Sequence, residues 1–131
     1  MSFVVRCAAV SVTLVVIIAA LGGKAAAQSD AYARAASSDS TTRSQAATEL
    51  ALDPNQRAVE MLLVLLERDV DPQVRLSAVR ALEKRRDPDL AEVLQAASVR
   101  DPSPQVRALA AQAYKRLWAL TKKPKTAAGL S

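Results

Sequence analysis

Arginine recurs at positions 43, 75 and 107, each thirty-two residues from the next. A guanidinium presents a planar fork of N–H donors and stays charged, so such a row could take carboxylates or phosphates two hydrogen bonds at a time. Two carboxylate pairs, Asp69 with Asp71 and Asp87 with Asp89, have a spacing that could serve a divalent cation or acid–base work. A basic group follows: Lys84, Arg85 and Arg86, then Lys115 and Arg116, with Lys122, Lys123 and Lys125 beyond. Tyr114 and Trp118 are four residues apart and would share one helix face.

Absences narrow the chemistry. The chain has no histidine, its one cysteine is Cys7, and the only glycine after residue 27 is Gly129. Ser-His-Asp and Cys-His arrangements, histidine-ligated zinc and glycine-rich phosphate loops are therefore excluded. The acidic pairs lack the glycine and distal glutamate of a calcium loop, and each sits in a turn, where aspartate caps a helix start. No catalytic residue, metal ligand or cofactor is assigned.

The arginine row belongs to a longer repeat. Asp71-Pro72-Gln73-Val74-Arg75-Leu76-Ser77-Ala78-Val79-Arg80-Ala81-Leu82 is echoed downstream, where Pro104, Gln105, Val106, Arg107, Ala110 and Ala113 are identical in register. A weaker copy lies upstream, in Asp39, Arg43, Ala46 and Leu50. Each copy reads as a helix with its start signal: Pro72 and Pro104 suit the first helical position, and Asp71 and Ser103 can accept from the N–H groups beyond. Val74, Ala78, Ala81 and Leu82 make one apolar stripe. Alanines in register at 46, 78 and 110 would let neighbouring helices approach closely, and a period of this length is the mark of a solenoid.

The string at 71 to 82 resembles the second helix of a HEAT repeat, in the short bacterial form called HEAT-like or phycobilisome-lyase-type, over roughly residues 39 to 118. The resemblance implies an all-α fold, a short α-α superhelix of about two and a half helical hairpins. For function it implies little, since such repeats serve scaffolds, lyase subunits and nucleic-acid-binding repair proteins. It also implies that Arg43, Arg75 and Arg107 form a structural ladder with acids of the turns, Asp69, Asp71 and Asp101 being the candidates.

In chain order, residues 1–27 read as an export signal. Arg6 supplies positive charge, Cys7 to Leu21 is almost wholly apolar, and Ala25-Ala26-Ala27 offers a cleavage site before Gln28. The expected location is the periplasm or exterior of a bacterium, the alternative being retention as an inner-membrane anchor. The remainder carries 16 basic and 13 acidic residues, a weakly basic balance. Residues 28–38 read as a linker or frayed helix, because the apolar stripe for a first helix is missing. The repeat domain is expected over 39–121 and a disordered basic tail over 122–131. Met61 to Leu66 is an unbroken apolar run, which places its helix at the centre of the stack.

These features point to a non-catalytic protein-interaction module, a scaffold or adaptor, with an unidentified protein partner. Lys84, Arg85, Arg86, Tyr114, Lys115, Arg116 and Trp118 are the candidate contact residues. An apolar edge at Leu50, Leu52 and the helix from Ala58 to Leu66 could support self-association through the incomplete first repeat. The basic edge could meet a membrane surface instead. Nucleic acid is disfavoured, because the aromatic groups on which single strands stack are scarce. An enzyme subunit resembling bilin lyases is the remaining alternative, opposed by the export signal.

Overall fold

The computed structural model describes residues 30–122. The signal and cleavage site expected over 1–27, and the expected tail beyond Lys122, lie outside them. A compact unit begins at Ala31. After a short helical stretch at residues 31–35 come α1 (Ser40–Leu50), α2 (Gln56–Arg68), α3 (Pro72–Lys84), a 3-10 turn (Pro88–Leu90), α4 (Ala91–Arg100) and α5 (Pro104–Thr121). Every described regular element is helical.

Side-chain caps explain where most helices start. Asp39 accepts from the Thr42 N–H at 3.0 Å, Asn55 from Arg57 at 3.1 Å, Asp71 from Gln73 at 2.8 Å and Asp87 from Asp89 at 3.0 Å. Each satisfies a donor that the helix itself leaves unpaired. Ser103 departs from expectation: its hydroxyl makes no cap bond, and the turn is tied by Asp101, which accepts from the Ser103 N–H at 2.9 Å.

The repeat period becomes a layer. Helices α1, α3 and α5 stack side by side, α2 packs on α3, and α4 packs on α5. Ala46, Ala78 and Ala110 are all fully buried in this stack, as is Ala113, with Ala81 nearly so. A methyl group at each crossing lets the backbones approach closely, and the leucines Leu50, Leu82 and Leu117 fill the space beside them.

The central helix is α3, not α2. Helix α3 buries Val74, Arg75, Leu76, Ala78, Val79, Ala81 and Leu82, whereas α2 keeps Val64 exposed and Met61 and Leu63 only half-buried. A run of consecutive apolar residues must circle the helix axis, so some of its members face outward whatever their hydrophobicity. The apolar edge expected at the first repeat is also not open: Leu50, Ala58, Val59, Leu62, Leu65 and Leu66 are buried, and only Leu52 and Val64 of that set are exposed.

Part of the cover comes from the stretch read as a linker or frayed helix. Residues 31–35 are helical, with Ala31 and Ala35 buried in the same core and Tyr32 packed against it. Arg34 pairs with Glu49 on α1, its Nη1 lying 2.8 Å from Oε1. A stripe of large apolar residues is indeed missing, but two alanines and one tyrosine suffice where a short helix lies close to its neighbour.

Among the described residues, one non-glycine position has a left-handed backbone. Arg86, just past the end of α3, has φ of 54°, the left-handed conformation that glycine adopts at helix ends. Arg86→Gly is expected to stabilise the domain by about 0.5–1 kcal/mol, the left-handed penalty less glycine's entropy in the unfolded chain. Thermal denaturation of the two proteins checks this. An unchanged or lower midpoint would show that the Arg86 side chain contributes more than the conformation costs.

Candidate functional site

The arginine row forms bidentate pairs between repeats. Arg43 donates to Asp69 through Nε at 2.7 Å and Nη2 at 3.0 Å, and Arg75 to Asp101 at 2.9 and 3.1 Å. Both pairs span 26 residues, so each arginine reaches the turn that starts the next repeat's second helix. The Nη1 groups hold turn carbonyls: Arg43 those of Ser37 and Ser38, Arg75 that of Asp69, and Arg107 those of Asp101 and Pro102. Arg107 repeats the carbonyl contact but has no carboxylate on its Nε and Nη2 among the described residues.

Asp71 is not a rung. It caps α3, while Asp69, two residues earlier, takes the arginine. Asp69 also accepts from the Asp71 N–H at 2.9 Å, as Asp101 does from Ser103, so each acid closes its own turn and receives the neighbouring arginine together. Burial pushes the Asp69 carboxyl up, but the Arg43 fork, the Asp71 N–H and the charges of Arg43 and Arg75 outweigh it and hold the group below its ordinary value. Arg43 is raised by its bond to Asp69. The Arg43–Asp69 rung is therefore charged on both sides at neutral pH.

A second buried polar contact was not anticipated. Tyr32 donates to Asp53 at 2.7 Å, Asp53 accepts from the Asn55 N–H at 2.9 Å, and Arg85 donates to the Asp53 carbonyl. Asp53 and Arg85 stand thirty-two residues apart, so the repeat period itself was the available signal. Burial and the bond to Asp53 push Tyr32 up to about 12, while the same bond pulls Asp53 down.

The two shifts act at opposite ends of the pH scale. A raised tyrosine pKa contributes stability that is fully present below the unfolded value of 10.0 and lost as pH rises toward about 12. Lowered carboxyls, Asp53, Asp69 and Glu49, contribute stability present above the unfolded carboxylate range and lost as pH falls through their folded values. Denaturant midpoints across pH should thus fall at both extremes, and Tyr32→Phe should flatten the alkaline limb. An alkaline limb unchanged in Tyr32→Phe would rule this origin out.

The basic edge is divided by the fold. Arg85 is committed to the Asp53 carbonyl, and Arg116 pairs with Glu83 at 2.6 Å on the surface, joining α3 to α5. Exposed pairs of this kind contribute at most about 1 kcal/mol. Lys84, Arg86 and Lys115 are exposed. Tyr114 is half-buried against the core and Trp118 is exposed, with ring centroids 6.0 Å apart and the Lys122 ammonium 5.7 Å from the indole.

Between α2 and α4 lies a groove of about 710 Å³. These two helices pack far less closely than the alanine-lined second helices, which leaves the space open. Leu66, Val93, Ala96 and Ala97 provide an apolar lining, with Glu67, Glu92 and Arg100 beside them and the Arg75–Asp101 pair and Asp69 also lining it. Among the described residues no group of three His, Cys, Asp or Glu side chains could hold a metal ion, and no helix is long and apolar enough to cross a membrane.

Two comparisons, with curated proteins and with solved structures, give no significant match. Residues 29–115, about two thirds of the chain, match the family described as HEAT repeats. With its stacked helical hairpins and arginine–aspartate rungs, the chain belongs to the HEAT-repeat family.

Proposed function

We infer that the protein is a non-catalytic scaffold or adaptor that binds another protein in the bacterial cell envelope. Membership of the HEAT-repeat family carries this reading, because HEAT repeats generally mediate protein–protein interaction. Stacked hairpins create extended surfaces and need no catalytic group to use them. The envelope location rests on the sequence alone: Arg6, the apolar run from Cys7 to Leu21, and Ala25-Ala26-Ala27. The phycobilisome-lyase-type subgroup rests likewise on the motif at residues 71 to 82.

Affinity capture of the tagged protein from the envelope fraction, with N-terminal sequencing of the captured chain, tests both parts. A soluble chain starting at Gln28 with a stoichiometric protein partner is the expected result. The exposed cations Lys84, Arg86 and Lys115 favour a second reading, contact with anionic lipid. Recovery of an uncleaved chain only in membranes, without a protein partner, would select that reading and reject the adaptor.

A further inference from the structure

We propose that the Arg107 fork is a carboxylate socket for a protein partner, a third rung that no described residue fills on a ladder whose first two rungs are filled within the chain. This deepens the adaptor reading and rests on it. The three arginines are superposable in role. In each, Nη1 is tied to carbonyls of the preceding turn, at 2.9 and 3.0 Å for Arg43, 2.8 Å for Arg75 and 2.7 and 3.1 Å for Arg107. Those bonds fix the guanidinium plane before any acid arrives.

In the first two, the ordered fork receives an aspartate through Nε and Nη2. In the third it receives none among the described residues, although the side chain is only half-exposed and already held. A fork ordered in advance loses little side-chain freedom on binding, which separates Arg107 from exposed arginines such as Arg80. The occupant is defined by the filled rungs: a carboxylate whose two oxygens meet Nε and Nη2 side by side.

The surrounding surface suits a protein element rather than a free ion. One repeat on from the buried Leu76 and Val79 of α3 stand Ala108, exposed, and Ala111, half-buried. A flat alanine face admits a helix closely but contributes little apolar area, so the carboxylate supplies much of the selectivity. A second copy stacked head to tail does not meet this requirement. At the place held by Asp69 and Asp101 in later repeats, the first turn has Ser37, whose hydroxyl accepts from the Asp39 N–H but bears no charge.

The test uses the full chain and two peptides copying residues 65–76, one native and one carrying Asp69→Asn, with the arginine Nε–H signals followed by NMR. The native peptide should shift Arg107 saturably, leave Arg43 and Arg75 unmoved, and bind about tenfold more tightly than the Asn peptide. Arg107→Lys, which keeps the charge but removes the fork, should abolish that discrimination when the two peptide affinities are read by isothermal titration calorimetry. Equal response to both peptides, equal shifts at Arg80, or no shift at Arg107 would each overturn the socket. Because the peptides come from this chain, the result stands apart from partner capture: a fork that prefers the native peptide with no captured protein would reject the adaptor reading and with it the protein occupant, whereas a captured protein with no shift at Arg107 would reject the socket alone.

Discussion

Arg75→Ala is expected to lower the unfolding free energy by about 3–5 kcal/mol, the usual cost of removing one partner of a buried ion pair. Arg75 is 7% exposed and Asp101 8%, so deleting the guanidinium leaves a carboxylate with almost no water and one fewer bond to the Asp69 carbonyl. The aliphatic stem of the arginine is lost from the interior as well. Against a total stability of about 5–15 kcal/mol for a domain of this size, the change is large.

The row contains its own controls. Arg43 makes the same bidentate contact in a more exposed setting, and among the described residues Arg107 makes only the carbonyl contacts, so denaturant midpoints should fall in the order Arg75→Ala, Arg43→Ala, Arg107→Ala, largest loss first. Replacing Arg75 and Asp101 together with apolar residues should recover much of the loss, because the uncompensated charge is then gone. Equal losses for all three arginines would mean that the carbonyl contacts, shared by all, supply the stability and the acids do not.

The second large effect is expected from Leu82→Ala, at about 2–5 kcal/mol. Leu82 is fully buried in the helix that packs against α1, α2 and α5 at once, so the cavity has no single neighbour able to collapse into it. The contrasting substitution is Leu52→Ala, at a leucine that is 81% exposed in the α1–α2 turn, which should stay within about 0.5 kcal/mol. In an array this short, with each hairpin stabilised by its neighbours, Leu82→Ala should shift the whole unfolding transition rather than split it. A biphasic curve would show that the flanking helices fold without α3.

Much of the architecture was legible in the residues. The spacing of Arg43, Arg75 and Arg107, with alanines at 46, 78 and 110, marks three equivalent helices, and those helices do form the stacked layer. The turn residues Asp39, Asp71 and Asp87 mark helix starts where the caps are found. The site was legible only in part. That the arginines meet turn acids followed from the family resemblance, but Asp69 and Asp71 were equally near in sequence. Tyr32 looked like a lone aromatic in a linker and proves to be a hydrogen-bonded side chain packed against the core.

What the sequence by itself determined depends on period and local backbone chemistry: the order of the helices from Ser40 onward, most of the places where they begin, the small residues at the crossings, and the family. The tertiary structure alone decided which partners meet across helices. It gave Asp69 to Arg43 and Asp71 to the start of α3, made α3 rather than the more hydrophobic α2 the centre, committed Arg85 to a carbonyl, left a groove between α2 and α4, and left the Arg107 fork without a carboxylate among the described residues. The reason is reach. A repeat sets the position of a Cα, whereas the bond that forms depends on a few ångströms of side chain and on which neighbour the packing brings within them.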